Sequence, residues 1–113
     1  MNLNVSFGHG TYREGTKIIK GQIILSPEKL FLKGPQEEYS ATFIPVDKIE
    51  TIRKVSGGLE LYIRPTPIIN YRAYLSADPR MIDELIQELV RSLKFQKCFL
   101  RHQWFREVKW TIN

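Results

Sequence analysis

Histidine and cysteine are the side chains that most often bind transition metals or act as catalytic groups, and this sequence contains few of them. His9 and His102 stand 93 positions apart, and Cys98 is the single cysteine. A structural zinc site needs four ligands, and these usually occur in pairs with short spacings. The sequence contains no such spacing, so we expect no metal site.

No other group of residues has the spacing of a catalytic centre. Cys98 follows Lys97, but no histidine stands at a spacing that indicates a nucleophile pair. Glu37 and Glu38 fall in a polar stretch, where carboxylates mainly keep a loop solvated. The Gly-x-Gly at residues 8–10 lacks the further glycine and the helix of a nucleotide-binding loop. We therefore expect no enzymatic activity and no cofactor.

The positive charge is concentrated near the C-terminus. Residues 1–93 contain 12 basic residues against 11 acidic ones, whereas residues 94–113 contain five basic residues against Glu107. The body is thus nearly neutral, and the C-terminal end is basic. Such an asymmetry is typical of a segment that meets an anionic partner.

This C-terminal extension, residues 96–113, also carries aromatic side chains. The residues we expect to contact a partner or a membrane are Lys97, Phe99, Arg101, Trp104, Phe105, Arg106, Lys109 and Trp110. Three interpretations are open: the aromatics pack back onto the domain, they pair with a protein partner or a second copy of the chain, or they lie at an anionic membrane surface. Stacking on single-stranded nucleic acid is the least favoured, because the near-neutral body offers no track of positive charge.

One stretch, residues 78–95, has the pattern of an amphipathic helix. Its apolar residues recur at helical spacing over about half of the circumference. They are Met81, Ile82, Leu85, Ile86, Leu89, Val90 and Leu93. Asp78 suits the N-cap and Pro79 the first helical position. The absence of Gly or Pro after Pro79 allows the helix to continue past Phe95, but Phe95, Cys98 and Phe105 fall off the apolar stripe, which indicates a bend or a second element. We expect this helix to pack on a sheet.

The preceding residues show the alternation and turn signals of short strands. We predict seven strands, at residues 3–7, 17–25, 30–32, 40–46, 49–55, 59–64 and 69–76. Residues 8–16 are predicted as a polar loop, and Gly57 and Gly58 as a hairpin turn. Consecutive hairpins predict a mainly β, antiparallel and partly open barrel, with the helix against its mouth.

Two segments resemble a known superfamily. Residues 21–32 (GQIILSPEKLFL) resemble the second hairpin of GRAM-like and bacterial pleckstrin-homology-like (PH-like) domains. Residues 43–52 (FIPVDKIETI) resemble the segment that follows. The resemblance implies a PH-like domain over residues 1–95, with seven antiparallel strands and a closing helix. It further implies a binding module without chemistry of its own.

Members of this superfamily bind phosphoinositides, other lipids or proteins, often near the first loop. Carried over to this chain, the resemblance points to Arg13, Lys17 and Lys20 as candidate ligand-binding residues, although their spacing differs from the usual basic-x-basic string. We expect a cytoplasmic binding or adaptor module that acts through a protein partner or self-association. The alternative is peripheral binding to an anionic membrane. We do not expect a nucleic-acid partner.

Overall fold

The computed structural model describes residues 4–34, 43–98 and 102–110, and in these ranges it is mainly β with one α-helix. The strands are β1 Val5–Glu14, β2 Lys17–Leu25, β3 Lys29–Lys33, β4 Phe43–Pro45, β5 Ile49–Val55, β6 Gly58–Ile63, β7 Tyr71–Ser76, β8 Gln96–Lys97 and β9 Gln103–Phe105. The helix is α1 Pro79–Leu93, and a single 3-10 turn, Val46–Lys48, joins β4 to β5. The prediction of a mainly β protein with a C-terminal helix is confirmed.

All nine strands form one antiparallel sheet in the order β4-β3-β2-β1-β7-β6-β5-β9-β8. Six inter-strand spacings separate β4 from β5, which amounts to about 29 Å in a flat sheet. The chain nevertheless links Pro45 to Ile49 through the 3-10 turn alone, a distance of at most about 14 Å if fully extended. The sheet must therefore curl until β4 approaches β5. No ladder joins these two strands among the described residues, so the sheet is not closed.

The curled sheet encloses one hydrophobic core. Each strand from β1 to β7 contributes to it, as does α1. The buried cluster is Phe7, Tyr12, Ile23, Leu25, Leu30, Leu32, Ile44, Val46, Ile49, Ile52, Leu59, Leu61, Ile63, Ala73, Leu75, Ile82, Leu85, Ile86, Leu89 and Phe95. Burying one Leu or Ile side chain contributes about 1.5–3 kcal/mol, so this cluster supplies most of the driving force for folding.

The helix packs as its periodicity predicts. Leu85, Ile86 and Leu89 are buried in the core, and the Asp78 side chain accepts a hydrogen bond from the Arg80 amide at 2.9 Å. α1 ends at Leu93, so of the two alternatives for the residues after Phe95 the helix does not continue, and the chain bends instead. Lys94 adopts the left-handed conformation (φ 57°), and the Phe95 amide donates back to the Val90 carbonyl at 3.1 Å. This C-cap turns the buried Phe95 ring into the core without a glycine.

The count of seven strands is wrong, because the C-terminal extension contributes β8 and β9. The extension has few β-branched residues, so its own sequence gives a weak strand signal. β9 forms because it pairs antiparallel with the edge of β5, where Ile52 is opposite Trp104.

The predicted loop at residues 8–16 is also wrong, because β1 runs to Glu14. Gly8 takes a positive φ of 82°, and the register with β2 shifts between Ser6 and His9. This irregularity lets the strand continue past the glycines. Tyr12 then points into the core, and the turn to β2 is confined to Gly15 and Thr16.

Other boundaries shift by small amounts. The β5–β6 turn is Ser56–Gly57, with Gly57 at φ 80° and Gly58 already in β6. The seventh strand begins at Tyr71 rather than at residue 69. Residue 3 of the first predicted strand, residues 40–42 of the fourth, and Glu37 and Glu38 lie outside the described residues.

Gly58 is a position where the sheet tolerates no side chain. A Cβ there would lie 2.0 Å from the Leu75 carbonyl oxygen, far inside van der Waals contact. Gly34, in contrast, has nothing within 4 Å of an added Cβ and no positive φ. The β6–β7 pairing therefore depends on Gly58 for steric reasons.

We predict that Gly58→Ala lowers the free energy of unfolding by at least about 2 kcal/mol, because β6 and β7 must separate to admit the methyl group. Gly34→Ala is the matched control and should change it by less than about 0.5 kcal/mol. Urea denaturation followed by circular dichroism measures both. Equal stabilities for the two variants would show that the close approach at Gly58 is not present in solution.

Candidate functional site

The loop between β6 and β7 exposes two isoleucines at one end of the sheet. We call residues 64–70 the isoleucine loop. Ile68 is 89% exposed and Ile69 is 54% exposed. Single exposed apolar residues are ordinary on protein surfaces, but two adjacent ones on a protruding loop form a surface that can be removed from water by contact.

The isoleucine loop is held in place by its own hydrogen bonds. The Thr66 hydroxyl accepts from the Ile69 amide at 3.0 Å, and Arg64 donates to the Pro67 carbonyl at 3.3 Å. Arg64 is itself fixed by Glu50, whose carboxylate oxygen lies 3.0 Å from Nε. Two prolines further restrict φ in the loop. Thus Ile68 and Ile69 are presented on a constrained backbone.

Lysines lie beside the base of this loop. The Lys48 carbonyl accepts from the Arg64 amide at 2.9 Å, and the Lys48 ammonium donates to the Lys109 carbonyl at 3.0 Å. Trp110 Nε1 donates to the Arg64 carbonyl at 3.2 Å, which brings the end of the extension to the same place. Asp47, 3.8 Å from the Lys48 ammonium, offsets one positive charge.

The turn between β1 and β2 lies at this end of the sheet as well. Arg13 pairs with Tyr74, so continuing the register places residues 15 and 16 beside the start of β7. Burial, and then the charge of Glu14, raise the pKa of Tyr71, which agrees with this proximity. Ile18, 61% exposed, therefore belongs to the same end of the molecule.

The predicted ligand-binding residues Arg13, Lys17 and Lys20 are not brought together as one patch. Arg13 and Lys20 share the face of the sheet that points away from the core, since Lys20 is opposite Thr11 and Arg13 is opposite Ile18. Lys17 is opposite Glu14 and has the opposite alternation, which directs it to the other face. All three are exposed, and Arg13 lies over the Tyr74 ring at 5.3 Å.

The extension packs onto its own domain. β9 pairs with β5, Trp104 packs against the core, and Val108 is buried. Lys97, Phe105 and Lys109 remain exposed, whereas Trp110 is partly covered. Of the open interpretations, these contacts favour aromatics that fold back on the sheet. Phe99 and Arg101 lie outside the described residues.

Arg106 differs from the other basic residues of the extension because its charge is directed inward. Its Nε donates to the Ile49 carbonyl at 2.8 Å, another guanidinium nitrogen donates to the Val46 carbonyl, and the group lies 5.1 Å from the centre of the Phe95 ring. Burial lowers the pKa of Arg106, while Asp47 acts in the opposite direction. This side chain therefore joins the extension to the 3-10 turn and the helix end.

The described residues contain no group of three or more potential metal ligands. His9 and His102 are exposed, and Cys98 is a partly buried free thiol at the start of the β8–β9 connection. Nor do the described residues include a helix long and apolar enough to cross a membrane.

Sequence reasoning missed the isoleucine loop. It assigned Ile69 to a strand and gave Ile68 no role. The signal was present, because Pro-Thr-Pro-Ile-Ile-Asn places two aliphatic residues between turn-forming ones, where neither helix nor strand would bury them.

The chain matches no protein-family model, and no curated protein is significantly similar to it.

We predict that Arg106→Ala lowers the free energy of unfolding by about 2–4 kcal/mol, because it leaves the Val46 and Ile49 carbonyls without their charged donor. Arg106→Lys should restore part of the lost stability, because the positive charge is kept. The recovery should be incomplete, because an ammonium group lacks the planar guanidinium geometry that reaches both carbonyls. Lys109→Ala, an exposed cation in the same extension, is the control and should change it by less than about 0.5 kcal/mol. Thermal unfolding of the three variants measures the difference. Equal effects of Arg106→Ala and Lys109→Ala would show that the contacts of Arg106 with the 3-10 turn do not stabilise the fold.

Proposed function

We propose that this protein is a PH-like domain that associates peripherally with anionic membranes at the cytoplasmic face. Seven antiparallel strands followed by a helix packed into the core agree with the fold that the resemblance implies. The single cysteine agrees with a reducing compartment. The exposed Ile68 and Ile69 of the isoleucine loop are the observation that carries the proposal.

Both a hydrophobic and an electrostatic contribution would stabilise the membrane-bound state. Transferring an exposed isoleucine side chain from water into an apolar environment contributes up to about 1.5–3 kcal/mol. A basic residue near an anionic surface adds about 1 kcal/mol. Lys48 and Lys109 lie beside the loop, and Lys17 stands at the same end of the sheet. Together they suffice for reversible binding, as in other proteins that lie on a membrane without crossing it.

We expect the protein to sediment with vesicles of phosphatidylcholine and phosphatidylserine, and much less with phosphatidylcholine alone. Replacing both Ile68 and Ile69 by Ser should weaken partitioning at least about tenfold, because each change removes apolar area that the membrane would bury. The matched control is Val5→Ser. Val5 is an exposed aliphatic residue (44%) at the start of β1, at the end of this strand that is far from the β1–β2 turn, and the variant should bind as the wild type does.

Raised salt should also weaken the binding, since the lysine contribution is screened. Failure of the wild type to bind anionic vesicles, or equal loss in the Val5→Ser control, would refute the membrane proposal.

Self-association through a sheet edge is a second candidate, and the outer edge of β4 favours it. Among the described strands β4 has a neighbour on one side only, and its Phe43 is 54% exposed. A free edge with an exposed aromatic residue can pair with the same edge of a second copy. The tryptophans of the extension give less support to self-association, because Trp104 and Trp110 contact their own domain.

If β4 forms this contact, sedimentation velocity should show the average mass rising with protein concentration, and Phe43→Lys should remain monomeric. Phe105→Lys, which alters a residue of similar exposure (45%) on β9, should associate like the wild type. A wild type that is monomeric throughout the concentration range would exclude the β4 edge as an interface.

A further inference from the structure

The side of the sheet that points away from the core, which we call the outer face, carries aligned arginine and tyrosine side chains. Residues opposite each other in antiparallel strands point to the same side. The register therefore places one row across six strands. It reads Ile18, Arg13, Tyr74, Glu60, Arg53 and Gln103. The neighbouring row contains Arg72, Tyr62, Thr51 and Phe105.

Arginines lie against the aromatic rings of this face. Arg13 lies 5.3 Å from the Tyr74 ring centre, and Arg64 and Arg72 lie 5.6 and 5.9 Å from that of Tyr62. A guanidinium group next to a ring can still meet an anion with its N–H groups. Arg13 and Arg72 are the candidates for this, because Arg64 already donates to Glu50 and to the Pro67 carbonyl. Both tyrosines are only partly buried, so the rings remain accessible.

The outer face is basic although the body of the chain is nearly neutral. Over β1, β2, β5, β6 and β7 it carries Arg13, Lys20, Arg53, Arg64 and Arg72 against Glu50 and Glu60. Helix α1 itself is acidic, since Asp78, Asp83, Glu84 and Glu88 outnumber Arg80 and Arg91. The inner side of the sheet adds Lys17 and Lys54, and Lys54 pairs with Asp83 at 2.6 Å. The outer face therefore carries an excess of positive charge that the helix does not share.

Glu60 is engaged within the face. Its side chain is 12% exposed, and Arg53 lies 3.0 Å from its carboxylate. Burial alone would raise the pKa of Glu60, but hydrogen bonds from Tyr74 and Arg53 outweigh it and lower the pKa. This carboxylate therefore orients Tyr74 and Arg53, and its charge is largely compensated.

We propose that the outer face binds single-stranded nucleic acid. Phosphates would meet Arg13 and Arg72, and bases would stack on Tyr62 and Tyr74. These tyrosines are diagonal neighbours on adjacent strands, about 7–8 Å apart, which gives each ring room for one base. A positively charged groove or face with aromatic platforms is the usual means of binding single strands without sequence preference. Arg13, Arg72 and Tyr74 stand on strands β1 and β7 and not in the isoleucine loop, so variants of the two surfaces test this proposal separately from membrane binding.

Nucleic acid fits this face better than a lipid surface does. The rings and guanidinium groups lie along a sheet, and the two protruding aliphatic residues, Ile68 and Ile69, are on the loop at its end. A sheet face offers long planar contacts to stacked bases, whereas membrane insertion requires protruding apolar groups.

The test measures fluorescence anisotropy of a short labelled oligouridylate and of an oligothymidylate of equal length. The wild type should bind both, and binding should weaken from about 50 mM to about 200 mM salt. Replacing Arg13 and Arg72 by Ala should weaken binding roughly tenfold and reduce the slope of log K against log salt by about 1.4, since each lost phosphate contact removes about 0.7. Replacing Arg80 and Arg91 by Ala removes the same charge from the helix side and is the matched control.

The tyrosines separate stacking from simple charge attraction. Tyr74→Leu should weaken binding about fivefold or more without changing the salt slope, whereas Tyr74→Phe should keep most of the affinity because the ring remains. The Ile68→Ser, Ile69→Ser double variant should bind the oligonucleotides normally. The proposal is wrong if the wild type does not bind at low salt, if the helix-side control loses as much affinity as the Arg13 and Arg72 variant, or if Tyr74→Leu has no effect. Circular dichroism of each variant checks whether its fold is retained.

Discussion

The short link between β4 and β5 is the constraint on which the architecture depends. Two strands that are six neighbours apart in the sheet are joined by one 3-10 turn, so the sheet has to curl. Curling brings the inward-facing residues of seven strands to one centre, where a single helix can cover them. The four buried residues of α1 suffice for this because the sheet itself shields the rest of the core.

The same curl leaves β5 with an edge to be covered, and the C-terminal extension occupies it. β9 continues the ladder, and Arg106 makes contacts with the 3-10 turn and with Phe95 at the end of α1. Three parts of the chain that are distant in sequence therefore meet at one cation. A half-buried guanidinium is stable there because main-chain carbonyls and an aromatic ring replace water around it.

Both candidate binding surfaces follow from how the sheet divides its residues. Strand alternation places apolar residues inside, which leaves arginines and tyrosines on the outer face, where they contact each other. No described helix or strand covers the isoleucine loop, so Ile68 stays exposed. One surface is polar and planar and the other is apolar and protruding, and for this reason they fit different partners.

Local patterns in the sequence determined the elements with a strong signal of their own. The period of α1, its cap at Asp78 and the strands 17–25 and 49–55 follow from side-chain alternation and from turn chemistry within a few residues. Tertiary structure decided the rest. β1 runs to Glu14 because Gly8 adopts a left-handed conformation, and α1 ends at Leu93 because Lys94 does so. β9 forms because the edge of β5 is there to pair with. Net charge along the sequence suggested that only the extension was basic. The fold instead directed Arg106 inward and collected Arg13, Arg53, Arg64 and Arg72 on one face, because strand pairing, not sequence distance, determines which charges become neighbours.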